Sequence, residues 1–298
     1  MDINFTKTLS KEASGSPFVR ETTLDGSSTY KNLEYNETYH SSIGAYTEAL
    51  YKHVLACKLD ELASNFLMET SREPEISSFP VIKILDVCFG LAYNSGVAIQ
   101  KIWEINPAQK IEIIGLENDA AIIAELPNIE VPEDYLFIRD SIMKPLAEQA
   151  RKLLASHKLN GIHESSENRE NGVSARFPVA ELSLITEKFN IKILIDDARY
   201  AVNELEDNYF DAIFFDPFSP KTCPVLWTEE FIAAVISKAK PKAYISTYSS
   251  ARIAKDNFRK AGCELFEGPK LNRRNGGVLA RKKEPSCYSQ SSTITPLA

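Results

Sequence analysis

Carboxylates close four apolar runs in this sequence. Asp86 begins the segment Asp86-Val-Cys-Phe-Gly-Leu-Ala, Glu117 ends Ile111-Glu-Ile-Ile-Gly-Leu-Glu, Asp196-Asp197 follows Ile191-Lys-Ile-Leu-Ile, and Asp216 follows Asp211-Ala-Ile-Phe-Phe. In an open parallel sheet, ligands bind beyond the carboxyl ends of the strands, where strand order reverses. Acids at strand ends are therefore placed to meet a ligand. Asp216 leads into Pro217-Phe218-Ser219-Pro220, a loop stiffened by two prolines and carrying an aromatic ring. Such a carboxylate suits a neutral amine nucleophile: it can hold the amine hydrogens, accept developing positive charge and leave the lone pair free to attack. The competing structural use is capping of the loop near Thr222.

The other acids suit a nucleotide. The turn around Gly90 lets a ligand approach backbone N–H groups at a helix start. Only Gly90 is glycine there, with Cys88 and Ala92 at the flanking positions. Glu117 is placed to take both hydroxyls of a ribose, or to serve as a charge at a helix N-terminus. Asp197 can accept from an adenine amino group or cap the helix that carries Tyr200 and Val202. His40, in Tyr39-His40-Ser41, reads as a structural histidine.

The elements that position these residues alternate. Strands are expected at 81–87, 111–117, 191–196, 211–216 and 243–248. Helices are expected at 44–67, 94–105, from about Asp119, at 142–157, 228–239 and 250–261. Near-continuous apolar strands separated by helices indicate a parallel sheet covered on both faces. Cys263 to Phe266 and Gly277 to Arg281 would close it as an antiparallel hairpin. Tyr135-Leu-Phe-Ile reads as one more strand, and the polar run Asn160 to Ser174 as an insertion within 158–190. The expected organisation is an N-terminal extension over 1–75 packing over the cofactor site, an α/β domain over 76–284 and a tail over 285–298.

Composition narrows the partners. Of 298 residues 44% are hydrophobic and 25% charged, which excludes a disordered or fibrous chain. Five scattered cysteines without a Cys-x-x-Cys pair argue against a disulfide scaffold or zinc site. No apolar run reaches membrane-spanning length and no secretory signal opens the chain, so a cytoplasmic protein is expected. The net charge of −7 is uneven: Ser250 to Lys283 holds ten Lys/Arg against three Asp/Glu, leaving −14 elsewhere. A local excess of this size can attract phosphate although the whole chain is acidic; a solvated charged face is the alternative.

In order along the chain, Asp25-Gly-Ser, Tyr39-His-Ser, Gly44-Ala45, Glu48, Phe89-Gly90, Glu117, Asp197-Ala-Arg, Asp216-Pro-Phe-Ser-Pro and Leu226-Trp227-Thr228 resemble the MnmC-like methyltransferases over about residues 20 to 283. The likeness is greatest to their stand-alone MnmD form, which lacks the fused flavin oxidase domain. The resemblance implies a class I S-adenosylmethionine-dependent methyltransferase fold, Rossmann-like, with a mostly parallel seven-stranded sheet. It also implies methylation of the 5-aminomethyl group of wobble 2-thiouridine in tRNA, giving 5-methylaminomethyl-2-thiouridine. On this basis Tyr39 and Glu48 line the cofactor pocket, Gly90 faces the methionine part, Glu117 takes the ribose, and Asp197 with Ala198 flanks the adenine. Asp216 is the catalytic carboxylate, Phe218 and Pro220 shape the substrate entrance, and Arg273 with Arg274 sits near tRNA phosphate. Trp227 matches the family's aromatic after the catalytic loop or simply packs the next helix. Related chains often carry glycine at the positions of Cys88 and Ala92. No flavin fingerprint is present, so oxidase activity is not expected; a separate oxidase, or the enzymes making the aminomethyl group, would be partners. Two other readings are an aminopropyltransferase resembling spermidine synthases and a non-catalytic module binding an adenosine ligand and tRNA.

Overall fold

The structure, a computed structural model, describes residues 17–72, 80–159, 180–271 and 276–284. It opens with a small antiparallel sheet of β1 (Phe18–Thr22), β2 (Ser28–Asn32) and β3 (Glu37–Thr38). The turn between β1 and β2 is organised by Asp25. Its Oδ1 accepts from Thr23 Oγ1 at 2.8 Å and Ser27 N at 3.0 Å, while Oδ2 accepts from Thr47 N at 2.9 Å and Thr47 Oγ1 at 2.8 Å. Burial works against this carboxylate, but the hydrogen bonds from Ser27 and Thr47 outweigh it and hold its pKa below the usual value. Gly44, just before α1 (Ala45–Glu48), has φ 148°, and a Cβ there would collide with the Asp25 carboxylate. Gly44→Ala is therefore expected to lower stability by about 2–4 kcal/mol, read by denaturant unfolding, by combining backbone strain with overpacking. An unchanged midpoint would dissociate Gly44 from this turn.

The segment read as one helix over 44–67 is broken. A π-helical turn, Ala49–Val54, follows α1, and Lys58 at φ 58° separates it from α2 (Leu59–Arg72). Lys52, His53 and Val54 are all buried. Three consecutive buried side chains do not fit the single apolar stripe of an α-helix, and the wider π turn accommodates them.

The main sheet has eight strands. β4 (Ile82–Val87) lies at its centre, with β5 (Ile111–Glu117) on one side, then β7 (Phe189–Ile195) and β6 (Ala180–Ile185) at the edge. On the other side come β8 (Phe210–Phe215), β9 (Ala239–Thr247), β11 (Val278–Lys282) and β10 (Cys263–Glu267). Pairs β4–β5, β5–β7, β4–β8 and β8–β9 are parallel, whereas β6–β7, β9–β11 and β10–β11 are antiparallel. The C-terminal hairpin matches expectation. The eighth strand, β6, does not: it comes from the segment assigned to the insertion. It is an edge strand with Leu182 buried and Ile185 71% exposed, so its apolar alternation is faint.

Alternation along the central strands sorts side chains to two cores. Ile82, Ile84, Ile111, Ile113, Ile191, Ile193 and Phe214 face one layer, with α3 (Tyr93–Ile105), α4 (Ala120–Ala124) and α6 (Lys144–Leu159). Leu85, Val87, Leu116, Leu194, Ile213, Phe215 and Ile245 face the other, with α7 (Ala198–Ala201), α8 (Glu229–Lys238) and α9 (Arg252–Lys260). Both faces are covered, which is why the strands read as apolar runs. The strand expected at Tyr135-Leu-Phe-Ile is helical instead, with α5 at Leu136–Ile138. Tyr135 and Ile138 are buried and Phe137 is 59% exposed, a three-residue spacing rather than an alternation of two. The polar run 160–174 lies outside the described residues. Among the described residues no helix is long and apolar enough to cross a membrane.

Candidate active site

β4 is the point where the chain turns to opposite sides of the sheet, so the crevice beyond its carboxyl end is the expected ligand site. The turn after β4 uses the left-handed backbone region three times: Cys88 at φ 67°, Gly90 at 52° and Ala92 at 61°. The glycine-poor turn thus keeps a tight path, with Cys88 and Ala92 carrying the strain that glycine would avoid. Gly90 sits beneath Tyr39. A Cβ at Gly90 would lie 3.1 Å from Tyr39 Cδ1.

Glu117, at the end of β5, joins this cradle. Its Oε2 accepts from Gly90 N at 2.9 Å, and its Oε1 accepts from Asn118 N at 2.9 Å and Asp119 N at 3.0 Å. The side chain is almost wholly buried, and desolvation raises its pKa to about 7 despite those N–H donors. The next strand end lies alongside, where Asp196 N donates to Glu117 O at 3.0 Å. Asp197 accepts from Arg199 N at 2.9 Å as the cap of α7 and chelates the Arg199 guanidinium, while Ala198 is buried behind it. Asp196 Oδ1 accepts from Asp197 N at 2.8 Å, and Asp196 Oδ2 is buried without a hydrogen-bond partner among the described residues.

Asp216 emerges from β8 with its N–H on Val87 O at 3.2 Å, beside the turn that holds Gly90. Its Oδ2 accepts from Asn94 Nδ2 at 3.0 Å and lies 3.6 Å from His53 Nε2. Among the described residues its Oδ1 receives no hydrogen bond. The loop that follows is held from two sides. Phe218 O accepts from the buried Trp227 Nε1 at 2.8 Å, and Trp227 O accepts from Asn257 Nδ2 at 2.7 Å. From the N-terminal sheet, Glu37 accepts from Ser219 N at 3.1 Å and Ser219 Oγ at 2.9 Å. The Phe218 ring lies 5.0 Å from Tyr35 and 5.1 Å from Tyr39, centroid to centroid. Trp227 thus does structural work under the loop.

The fold brings Tyr39, Gly90, Glu117, Asp216 and Phe218 to one end of the sheet, with Asp197 and Ala198 at the adjoining strand end. Pro220 lies partly exposed in the same loop as Asp216. Glu48 is buried in an ion pair with Lys52 and accepts from Ser41 N at 2.8 Å. Burial opposes ionisation of Glu48, but the Lys52 ammonium prevails and brings its pKa to about 2. His40 shares a hydrogen bond with Thr29 Oγ1 at 3.2 Å, as a structural histidine would. Arg273 and Arg274 lie outside the described residues. Sequence reasoning missed His53, Asn94, Tyr35 and Glu37, and named Asp196 only as a strand-end acid without a role of its own. The one available signal was the cluster Glu48, Lys52, His53, polar residues interrupting an apolar helix pattern.

These groups fit an adenosine bearing a charged amino acid. Among the described residues three buried oxygens near the cradle, Asp86 Oδ1, Asn94 Oδ1 and Asp196 Oδ2, lack partners, and buried groups of this kind are ordinarily met by a ligand or by water. Tyr39 closes over Gly90 so tightly that a side chain at Gly90 would crowd its ring.

Residues 162–283 match the S-adenosyl-L-methionine-dependent methyltransferase family Methyltransf_30. The crystal structure of MnmC2 from Aquifex aeolicus is 28% identical, covers 92% of this chain and 72% of that one, and superposes with a TM-score of 0.64. The tRNA 5-methylaminomethyl-2-thiouridine biosynthesis bifunctional protein MnmC of Legionella pneumophila is 21% identical over 267 residues, 89% of this chain. An uncharacterized protein of Methanocaldococcus jannaschii is 24% identical over 262 residues, 87% of this chain. The chain spans 37% and 58% of the length of these two relatives.

Proposed function

We propose that this chain is an S-adenosylmethionine-dependent methyltransferase of the MnmC type, which its likenesses support, and that it methylates the primary amine of 5-aminomethyl-2-thiouridine at the wobble position of tRNA. One observation carries the reading: a strand-end carboxylate, Asp216, is held through Oδ2 with Oδ1 left free, and its backbone is bonded to the strand that begins the Gly90 cradle. Bound S-adenosylmethionine supplies a methyl group already activated by its sulfonium. The protein then needs mainly to orient, and orientation is what these residues provide.

Glu117 would accept the ribose hydroxyls, Asp197 and Ala198 would flank the adenine, and Gly90 would leave room for the methionine part beneath Tyr39. Glu48 would brace that pocket through Ser41. On the substrate side, Asp216 Oδ1 would accept an N–H of the amine. This contact aims the nitrogen lone pair away from the carboxylate and steadies the positive charge that nitrogen acquires. The proton lost from nitrogen passes to Asp216 or to solvent. Phe218, in tilted ring contact with Tyr35 and Tyr39, would wall off water on the entry side, with Pro220 at the rim. Arg273, Arg274 and the basic stretch 250–283 would meet tRNA phosphate, which sets affinity rather than base choice. On this reading a separate oxidase, or the enzymes making the aminomethyl group, would be partners, and the tRNA substrate would imply a cytoplasmic setting.

The test is incubation with labelled S-adenosylmethionine and bulk tRNA from cells lacking the wobble methyl group, followed by nucleoside analysis. Label in 5-methylaminomethyl-2-thiouridine supports both reaction and substrate. No label in any nucleoside, with cofactor binding intact, overturns the proposal. Running putrescine with decarboxylated S-adenosylmethionine alongside separates aminopropyl transfer.

A further inference from the structure

A buried imidazole lies against Asp216, and none of the roles above uses it. His53 is 2% exposed. Its Nδ1 lies 2.9 Å from Ser246 Oγ on β9, its Nε2 lies 3.6 Å from Asp216 Oδ2, and its ring meets Phe214 edge-on at 5.6 Å. The π-helical turn delivers it there: that turn sends Lys52 to Glu48 and the next residue, His53, to the sheet. The charged and titratable groups around the imidazole are Asp216, Lys52, Glu48 and His40.

We infer that His53 is a positioning residue for Asp216: Ser246 Oγ donates to Nδ1, which leaves the ring proton on Nε2 facing Asp216 Oδ2. The inference rests on the amine-methylation reading for its link to turnover, but the contact itself does not. A carboxylate beside a neutral imidazole favours the nitrogen that bears hydrogen, because the opposite tautomer would set a lone pair against the anion. At 3.6 Å the pair is an ion–dipole contact, of the kind that shortens to a hydrogen bond once substrate closes the site. Asn94 Nδ2 already donates to the same oxygen. Two donors on Oδ2 fix the plane of the carboxylate and leave Oδ1 as the acceptor presented to the amine.

Two measurements test this. In the free protein, nitrogen-15 NMR of the His53 ring is expected to give the Nε2–H tautomer, with a shift in both ring nitrogens in Asp216→Asn. An Nδ1–H tautomer overturns the inference. In turnover assays His53→Phe keeps the ring against Phe214 and removes the donor. Its kcat is expected to fall about tenfold or more, with cofactor affinity within about twofold, because orientation and not binding is lost. His53→Gln restores a donor at similar reach and is expected to recover most of that loss. The double variant with Asp216→Asn is expected to be no slower than Asp216→Asn alone, since both act on one group. His53→Gln as slow as His53→Phe, or additive losses in the double variant, would reduce His53 to packing. If His53→Phe does not fold, the tautomer and the glutamine variant decide. Absence of methyl transfer by the wild-type protein, with the expected tautomer present, would instead overturn the proposed function and leave the contact standing.

Discussion

Asp216→Asn is expected to cut methyl transfer at least about 100-fold while S-adenosylmethionine affinity stays within about twofold. The size follows from removing one charge-stabilising group from a preorganised site, a loss of about 2.7–4 kcal/mol in transition-state stabilisation. Asparagine keeps the shape and the backbone bond to Val87 O. It cannot keep the charge, and one of its two polar atoms becomes a donor. If its amide oxygen takes the Asn94 Nδ2 bond, its NH2 replaces Oδ1 and meets the amine donor to donor. If it turns the other way, two amide NH2 groups face each other. The first arrangement loses the acceptor that orients the nucleophile; the second keeps a neutral acceptor there but sets donor against donor at Asn94, and both lose the negative charge. Single-turnover rates at saturating RNA, with calorimetric cofactor titration, check both halves. Unchanged turnover in a folded variant would take Asp216 out of the mechanism.

Glu117→Gln is expected to do the reverse: weaken cofactor binding on the order of 100-fold, with the rate at saturating cofactor changed far less. Hydrogen bonds to a charged acceptor contribute about 1.5–3 kcal/mol each, and two ribose hydroxyls would share this carboxylate. Glutamine would also turn an NH2 toward Gly90 N or toward the N–H pair of Asn118 and Asp119, so a modest stability loss should accompany it. The raised pKa adds a pH signature. With its pKa lifted from 4.5 to about 7, the folded protein holds a proton that the unfolded chain has already released. This contribution to stability is fully present below pH 4.5, declines as pH rises toward 7, and is gone above. Cofactor binding runs the other way, because the hydroxyls need the carboxylate as acceptor. Affinity should rise through about pH 7 and level off above it, with proton release measurable in buffers of differing ionisation heat. Equal affinity at pH 6 and pH 8 would remove Glu117 from the ribose.

Much of this site was legible in sequence because the central strands are buried on both faces. Their apolar runs end abruptly, and the residues at those ends (Glu117, Asp197, Asp216) stand out. Gly90 and the prolines around Phe218 were legible for the same reason: they mark turns. Other residues left no such trace. His53 reaches Asp216 only because a π turn alters the register of a helix, and a 3.6-residue pattern does not encode that. Asp196 and Asp197 are adjacent, and only the fold separates them, giving one to Arg199 and leaving the other with a buried oxygen that has no partner among the described residues. At β6 the apolar signal was too faint for an edge strand. At Tyr135 it was present but had the spacing of a helix.

The bond from Glu37 to Ser219 and the seat of His53 beneath Asp216 make the active site a seam between the first quarter of the chain and the rest. Cutting at 75/76 would leave the Gly90 cradle, Glu117 and Asp216 on one polypeptide, and would carry away Tyr39, Glu37 and His53. Without Tyr39, Ser41 and Glu48 the larger piece should bind the cofactor only weakly and show no turnover. Mixing the two pieces should restore turnover with a hyperbolic dependence on the smaller one, making the extension a separable activator supplied in cis.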